Sequence, residues 1–373
     1  MRIVLIIPYN PLQEISGLEL ITLRLAGQFQ RQGHPVIILS KGRSGVVENV
    51  EILGFPDIYK ICQWLLVNHK NYDIVQWMEI FPDVEEMRPQ FIFSLLLRRI
   101  LKKEVLLMVA TSENMRRRGG GSGWRCIADK SFSSFVVYND GQIDEFIKCG
   151  FQSAKIHLLA SGIDTRSMFT PIEHDEKSIL RKNIGINSNK CVVLYIGRFV
   201  DRKRPDFLLD IWEEMTEIQP YADLLMIGSG EGHVESIERK IIQKASMIPG
   251  VRCIPTVMDT WNYYRCVDIV VIPSVREGEP VVLLEAMACG LPVVASRIQG
   301  TIKMIVDKET GILCEPNNKL DFQNAIRYLI NNPGERFRIG QLARKRVCAE
   351  RDIVDVSTRY LDLYHVLLSG SIK

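Results

Sequence analysis

With 373 residues, 46% of them hydrophobic and 24% charged, the chain has room for about two domains of ordinary size, each with a core of its own. A formal net charge of +3 is too small to point to nucleic acid as a partner, and no apolar run approaches the ~20 residues that span a bilayer. The nine cysteines are scattered, odd in number and without a Cys-x-x-Cys pair, which argues against a disulfide framework or a zinc site and for a reducing cytoplasm.

Strand-like runs alternate with amphipathic helical ones along most of the chain, the pattern of a doubly wound α/β protein. The first run, Ile3–Ile7, is too short for a signal peptide and lacks a small-residue cleavage site, so it reads as a buried strand. A helix from Leu18 to Gln32 follows, with Leu18, Ile21, Leu25 and Phe29 on its inner face and Gly33 as its stop. Pro35–Ser40, Ile74–Trp77, Val105–Ala110, Phe135–Tyr138 and Ile156–Leu159 are further parallel strands, with helices such as Gln90–Leu101 and Gly141–Cys149 between them. Between Arg116 and Gly123 three cations meet a glycine run, a composition that predicts a mobile surface loop.

A turn-rich stretch from Ser161 to Pro171 closes this half, and the polar segment Ile172–Asn189 follows. The alternation then restarts. Cys191–Ile196, Asp223–Ile227, Val251–Ile254, Val267–Ile272 and Pro292–Ala295 are strands, and Arg204–Met215 and Glu235–Ala245 are helices. Two α/β halves joined near residue 170 are expected: 1–170, then 171–351, with a last helix in 352–373 that packs on the first half.

The chemistry concentrates in the second half. Glu277 and Glu285 stand with seven residues between them, one in the turn after a strand and one inside a helix that starts near Pro280 and stops at Gly290. Such a helix aims free N–H groups and the positive end of its dipole above the strand, a place to hold a phosphate. Gly197-Arg198 ends another strand, and Lys203 lies five residues on. Cations leaving a strand's carboxyl end sit at the ligand crevice of an open α/β sheet and can neutralise a diphosphate, although a solvated turn accounts for the same spacing. Gly228-Ser229-Gly230-Glu231-Gly232 is a tight turn after a strand, but its spacing is not that of a dinucleotide fingerprint.

These residues carry a resemblance. The run from Glu277 to Val294 resembles the Glu–seven–Glu signature of family 4 retaining glycosyltransferases, nucleotide-sugar enzymes of the GT-B fold, in which two Rossmann-like doubly wound domains face a central cleft. Gly197-Arg198 with Lys203 resembles that family's diphosphate-binding pair, and the similarity runs along nearly the whole chain, from Gly17-Leu18-Glu19 to Glu309-Thr310-Gly311. It implies that Glu277 binds the transferred sugar, Glu285 the ribose, and Arg198 and Lys203 the diphosphate, so that Glu277, Arg198 and Lys203 carry catalysis. Gly17, Gly228, Val257, Gly278, Glu279, Pro280 and Val281 complete the implied donor site. Retention by front-face attack then needs no metal and no cofactor. The implied partners are a nucleotide diphosphate sugar, with uridine first and guanosine next, and a hydroxyl acceptor that is a glycan, a lipid-linked glycan or a small molecule, as in polysaccharide biosynthesis.

The departures lie on the acceptor side and at one donor position. Ala110-Thr111-Ser112-Glu113 stands where the family often has Thr-x-His, so Ser112, Glu113 and Trp77 are the acceptor-side candidates. A non-catalytic nucleotide-sugar-binding subunit is the alternative this leaves open. Glu279 replaces the family's usual Phe and puts a third carboxylate beside the expected sugar. The stretch Pro89–Lys103, with Phe91, Phe93 and three leucines followed by Arg98, Arg99, Lys102 and Lys103, reads as a sheet-covering helix. The alternative is docking at the inner face of an anionic membrane by a cytoplasmic, peripheral protein.

Overall fold

A computed structural model describes residues 1–12, 17–79, 84–109, 122–186, 189–230, 235–257 and 259–370. The chain divides into two compact units, Met1–Gly162 with Ile353–Lys373, and Ile163–Asp352.

The first unit runs β1 (Ile3–Ile6), α1 (Gly17–Arg31), β2 (Val36–Lys41), β3 (Gly45–Val47), β4 (Val50–Phe55), α2 (Ile58–Val67), β5 (Ile74–Trp77), α3 (Val84–Arg99), β6 (Glu104–Val109), α4 (Ser122–Ser131), β7 (Ser134–Val137), α5 (Asp140–Lys148) and β8 (Ile156–Leu158). Its sheet has the order β3-β4-β2-β1-β5-β6-β7-β8, parallel except for the β3–β4 pair. The inner strands are apolar on both faces, as parallel strands covered by helices on both sides must be: all four residues of β1 and of β5 are buried. Asn139 opens α5 with a capping box, its side chain accepting from Gln142 N while the Gln142 side chain reaches back.

The second unit runs α6 (His174–Ile184), β9 (Cys191–Ile196), α7 (Pro205–Glu214), β10 (Ala222–Ile227), α8 (Glu235–Met247), β11 (Val251–Ile254), α9 (Thr260–Cys266), β12 (Ile269–Ile272), α10 (Val281–Ala288), β13 (Val293–Ser296), α11 (Gln299–Ile302), β14 (Ile312–Cys314), α12 (Lys319–Asn331) and α13 (Pro333–Arg351). Its strands are ordered β11-β10-β9-β12-β13-β14, all parallel. Counted from β9 this is 3-2-1-4-5-6, the doubly wound order in which the chain reverses direction between the first and fourth strands. β9 and β12 flank that switch point.

The last helix, α14 (Ile353–Leu368), returns to the first unit. Tyr360 and Tyr364 are fully buried there against Phe29 of α1, and the Tyr364 hydroxyl donates to Oε1 of Gln76 in β5 at 2.5 Å. Gln76 thus spends its carbonyl inside the core.

Three sequence expectations shift. The boundary expected near residue 170 falls at Gly162, because Ile163 and Phe169 are buried with Leu284 and Tyr264 in the core of the second unit. The polar segment Ile172–Asn189 contains α6, a helix without an apolar stripe. It is held by charge: Lys177 and Arg181 bond the Asp268 carboxylate at 2.8 and 2.6 Å. The Arg116–Gly123 loop lies outside the described residues up to Gly121, but Ser122 and Gly123 already belong to α4.

Candidate functional site

The switch point concentrates the second unit's chemistry. β9 ends at Ile196, and the turn after it is pinned by Gly197 N on the Ile227 carbonyl at 3.0 Å and Phe199 N on that of Ser229 at 2.8 Å. The Tyr195 hydroxyl donates to the Arg198 carbonyl at 3.1 Å. A single 3₁₀ turn, Asp201–Lys203, follows. β12 ends at Ile272, and the loop beyond it is bonded back to the first one, Val275 N to the Arg202 carbonyl at 2.9 Å. Neighbouring strands therefore deliver a cationic loop and an acidic loop to the same place.

There Lys203 Nζ donates to Glu277 Oε1 at 2.5 Å, and Arg202 Nη1 lies 3.6 Å from Oε2. The Glu277 and Lys203 side chains are 7% and 15% exposed. Burial lowers the pKa of the Lys203 ammonium, and Glu277 opposes that shift by favouring the charged form. Gly300, in α11, meets Glu277 from above: a Cβ there would lie 2.6 Å from the Glu277 carbonyl oxygen and 2.9 Å from its Cβ. Gly228 has the same office for the other loop, since its Cβ would fall 2.0 Å from the Gly197 oxygen. Both glycines are there for close backbone approach.

Four residues after Glu277, α10 begins at Val281 with Pro280 as N-cap and no side-chain cap. Its first N–H groups and its dipole stay available to a ligand anion. Glu285, one turn in, is 2% exposed and accepts from the Tyr264 hydroxyl of α9 at 2.9 Å, which fixes its carboxylate. The Val257 segment is joined to the Gly228 turn through Thr256, whose N and hydroxyl donate to Ser229 Oγ at 3.2 and 3.1 Å.

Of the residues singled out in the sequence, Arg198, Lys203, Gly228, Val257, Glu277, Gly278, Glu279, Pro280, Val281 and Glu285 thus belong to loops and a helix of the second unit. Gly17 opens α1 in the first unit. Two expectations change. Glu279 does not stand open as a third acid: it is buried, and its Oε1 lies 3.1 Å from Arg351 Nη1. Trp77 is 0% exposed, because strand alternation turns its indole into the core with Phe91 and Phe135, so it offers no surface to an acceptor. Ser112 and Glu113 lie outside the described residues. Sequence reasoning missed Arg202, Tyr264, Gly300 and Arg351. Arg202 was legible only as one more charge in a run, and the other three lie outside the signature, Arg351 well beyond it in the chain.

Residues 176–346 match the family of glycosyl transferases, group 1. The match spans most of the second unit. A Haemophilus influenzae protein described as an uncharacterized glycosyltransferase is 37% identical over 158 residues, 42% of this chain and 44% of its own. The D-inositol 3-phosphate glycosyltransferase of Kribbella flavida is 30% identical over 206 residues, 52% of this chain and 47% of its own. The chain therefore spans about half the length of the curated relatives it matches. Similarity in structure reaches further. Anabaena HepE, solved in complex with UDP and glucose, has a TM-score of 0.80 at 16% identity, over 97% of this chain and 99% of that one. Sucrose-phosphate synthase from Thermosynechococcus elongatus has a TM-score of 0.80 at 17% identity, over 99% of each chain. At such identities the likeness shows the fold, and that fold is GT-B.

Proposed function

We propose that this chain is a retaining glycosyltransferase that moves a hexose-type sugar from a nucleotide diphosphate sugar to a hydroxyl acceptor, such as a glycan or a lipid-linked glycan. The observation that carries the reading is the meeting of Lys203 and Glu277 above the carboxyl ends of β9 and β12, beside the uncapped start of α10. Arg198, Lys203 and the α10 N–H groups hold the diphosphate and stabilise the charge that grows on it as the glycosidic bond breaks. The departing diphosphate oxygen accepts the acceptor's proton on the same face. Glu277 orients the sugar hydroxyls, and Glu285, locked by Tyr264, takes the ribose. With two cations and a helix terminus supplying the charge, the reaction proceeds without a metal or other cofactor. HepE in complex with UDP-glucose favours uridine over guanosine as the base.

Incubation with radiolabelled UDP-glucose, UDP-galactose, UDP-N-acetylglucosamine and GDP-mannose is expected to release free nucleotide diphosphate slowly from one of them. Glu277→Ala should reduce that release at least about 100-fold, the scale of removing one positioned group from a site. Binding of a donor without turnover on any acceptor would instead describe a non-catalytic nucleotide-sugar-binding subunit.

The setting we propose is cytoplasmic, at the inner face of a membrane. No helix among the described residues is long and apolar enough to cross one. On and just beyond α3, Ile92 and Ile100 are 54% and 67% exposed and stand near the exposed cations Arg99 and Lys102, a pairing suited to shallow docking on anionic lipid. The chain is expected to cosediment with phosphatidylglycerol vesicles at low salt and to be released as salt rises. No binding at low salt would remove the membrane from the proposal.

A further inference from the structure

The signature loop holds one carboxylate that is paired with α13. Glu279 stands between Gly278 and Pro280 with its side chain 5% exposed, and its partner Arg351, the last residue of α13, is 17% exposed. Separating two opposite charges that are removed from water together is costly. The pair therefore fastens the loop to α13.

The same helix holds α10 at its far end. Arg344 donates to the Ala288 carbonyl, and also to the Thr165 and Phe169 carbonyls at 3.1 and 3.2 Å. Where the two backbones cross, a Cβ on Gly340 would lie 2.0 Å from the Gly290 oxygen. At its own end α13 meets the segment by which the chain enters the second unit. The Arg351 carbonyl accepts from Ile163 N at 2.8 Å, and Asp352 takes the Thr165 hydroxyl and Arg166 at 3.0 Å.

We propose that Glu279 and Arg351 are a positioning pair that ties the donor loop to α13 and, through it, to residues 163–166. The pair sets where Glu277 and the α10 N–H groups stand, and ligand binding at the loop is coupled to the order of 163–166. Neither residue touches the reacting atoms. The inference rests on the nucleotide-sugar reading of the site.

The test is a double-mutant cycle on the intact chain with E279Q and R351Q, read by UDP titration calorimetry and by hydrogen exchange over 163–166 and 275–281. Each single variant is expected to weaken UDP about tenfold and the double variant no more than that, as for two residues acting through one interaction. Exchange should quicken in both segments in every variant, without UDP, and R351K should restore much of the loss. A double variant about a hundredfold weaker, the product of the singles, would overturn the pair, as would singles that bind and exchange like wild type. If a variant fails to fold, the wild-type chain decides: UDP must slow exchange at 163–166 as well as at 275–281, and an effect confined to 275–281 overturns the coupling. A wild-type chain that binds no UDP overturns the donor reading instead, and ligand-free exchange in the variants then decides the pair alone.

Discussion

Lys203→Ala is expected to lower kcat/KM for sugar transfer by about 10²–10³-fold, the loss seen when one preorganised charge-stabilising group leaves a site. Two effects add. The diphosphate loses a cation held rigidly by the Asp201–Lys203 turn, and Glu277 loses the ammonium that lies 2.5 Å from its carboxylate. Glu277 is 7% exposed, so its carboxylate would be left mostly buried, with Arg202 at 3.6 Å as its remaining ion-pair partner among the described residues. Because charge grows on the leaving diphosphate, kcat and kcat/KM should fall together, whereas loss of ground-state binding alone would raise KM at constant kcat. Steady-state rates over a range of donor concentrations distinguish the two. A variant with wild-type kcat would mean that Lys203 binds the donor without assisting its departure.

Asp268→Asn should destabilise the second unit by about 3 kcal/mol, the lower end of what breaking a buried ion pair from one side costs. For a unit of this size that corresponds to a fall in Tm of about 6–12 °C. The carboxylate bonds Lys177, Arg181 and Val192 N. Burial alone would raise its pKa, but Lys177, Arg181 and the Val192 N–H more than cancel that, and the net pKa lies below the usual carboxylate value. A depressed folded-state pKa means that the contribution is complete above the unfolded value, about pH 4, and is lost as pH falls through the folded one. The difference in Tm between wild type and variant should therefore begin to shrink below about pH 4 and keep shrinking as pH falls toward the folded value. Asp268 precedes β12 and bonds the start of β9, at the strand ends opposite the donor loops, so donor KM of the folded variant should stay unchanged. Thermal denaturation from pH 3 to 8 checks both statements.

The strands were the most legible part of the fold. β5 and β9 stand where their apolar runs placed them, since a strand covered on both faces is nearly all apolar, and the edge strand β11 also matches its run although it is only partly buried. The helices were legible where burial wrote an apolar stripe, as in α1, and not where charge holds the helix, as in α6 with Lys177 and Arg181. α13 escaped for a related reason, whereas α12 went unread despite its stripe of Phe322, Ala325, Ile326 and Leu329. The arginines of α13 spend themselves on carbonyls at the ends of neighbouring helices, Arg336 on Leu329 and Ile330 and Arg346 on Lys303, and sequence shows them only as surface charge.

At the site, the two glutamates and the two cations were legible because they follow strand ends at signature spacing. Their partners were not. Tyr264, Gly300 and Arg351 reach the signature only through the packing of α9, α11 and α13 around it. Glu279 shows the limit most clearly: its place in the signature suggested a sugar contact, and its meaning depended on a residue 72 positions further along the chain.

Titration of the intact chain with UDP and with UDP-glucose, watched by calorimetry, tests the donor site directly. The account predicts saturable binding of one equivalent, weakened in Glu285→Ala and, most for UDP with its full leaving-group charge, in Lys203→Ala, with addition of EDTA making no difference. UDP binding as tight in Lys203→Ala as in wild type, or no heat with any uridine or guanosine diphosphate sugar, would contradict it.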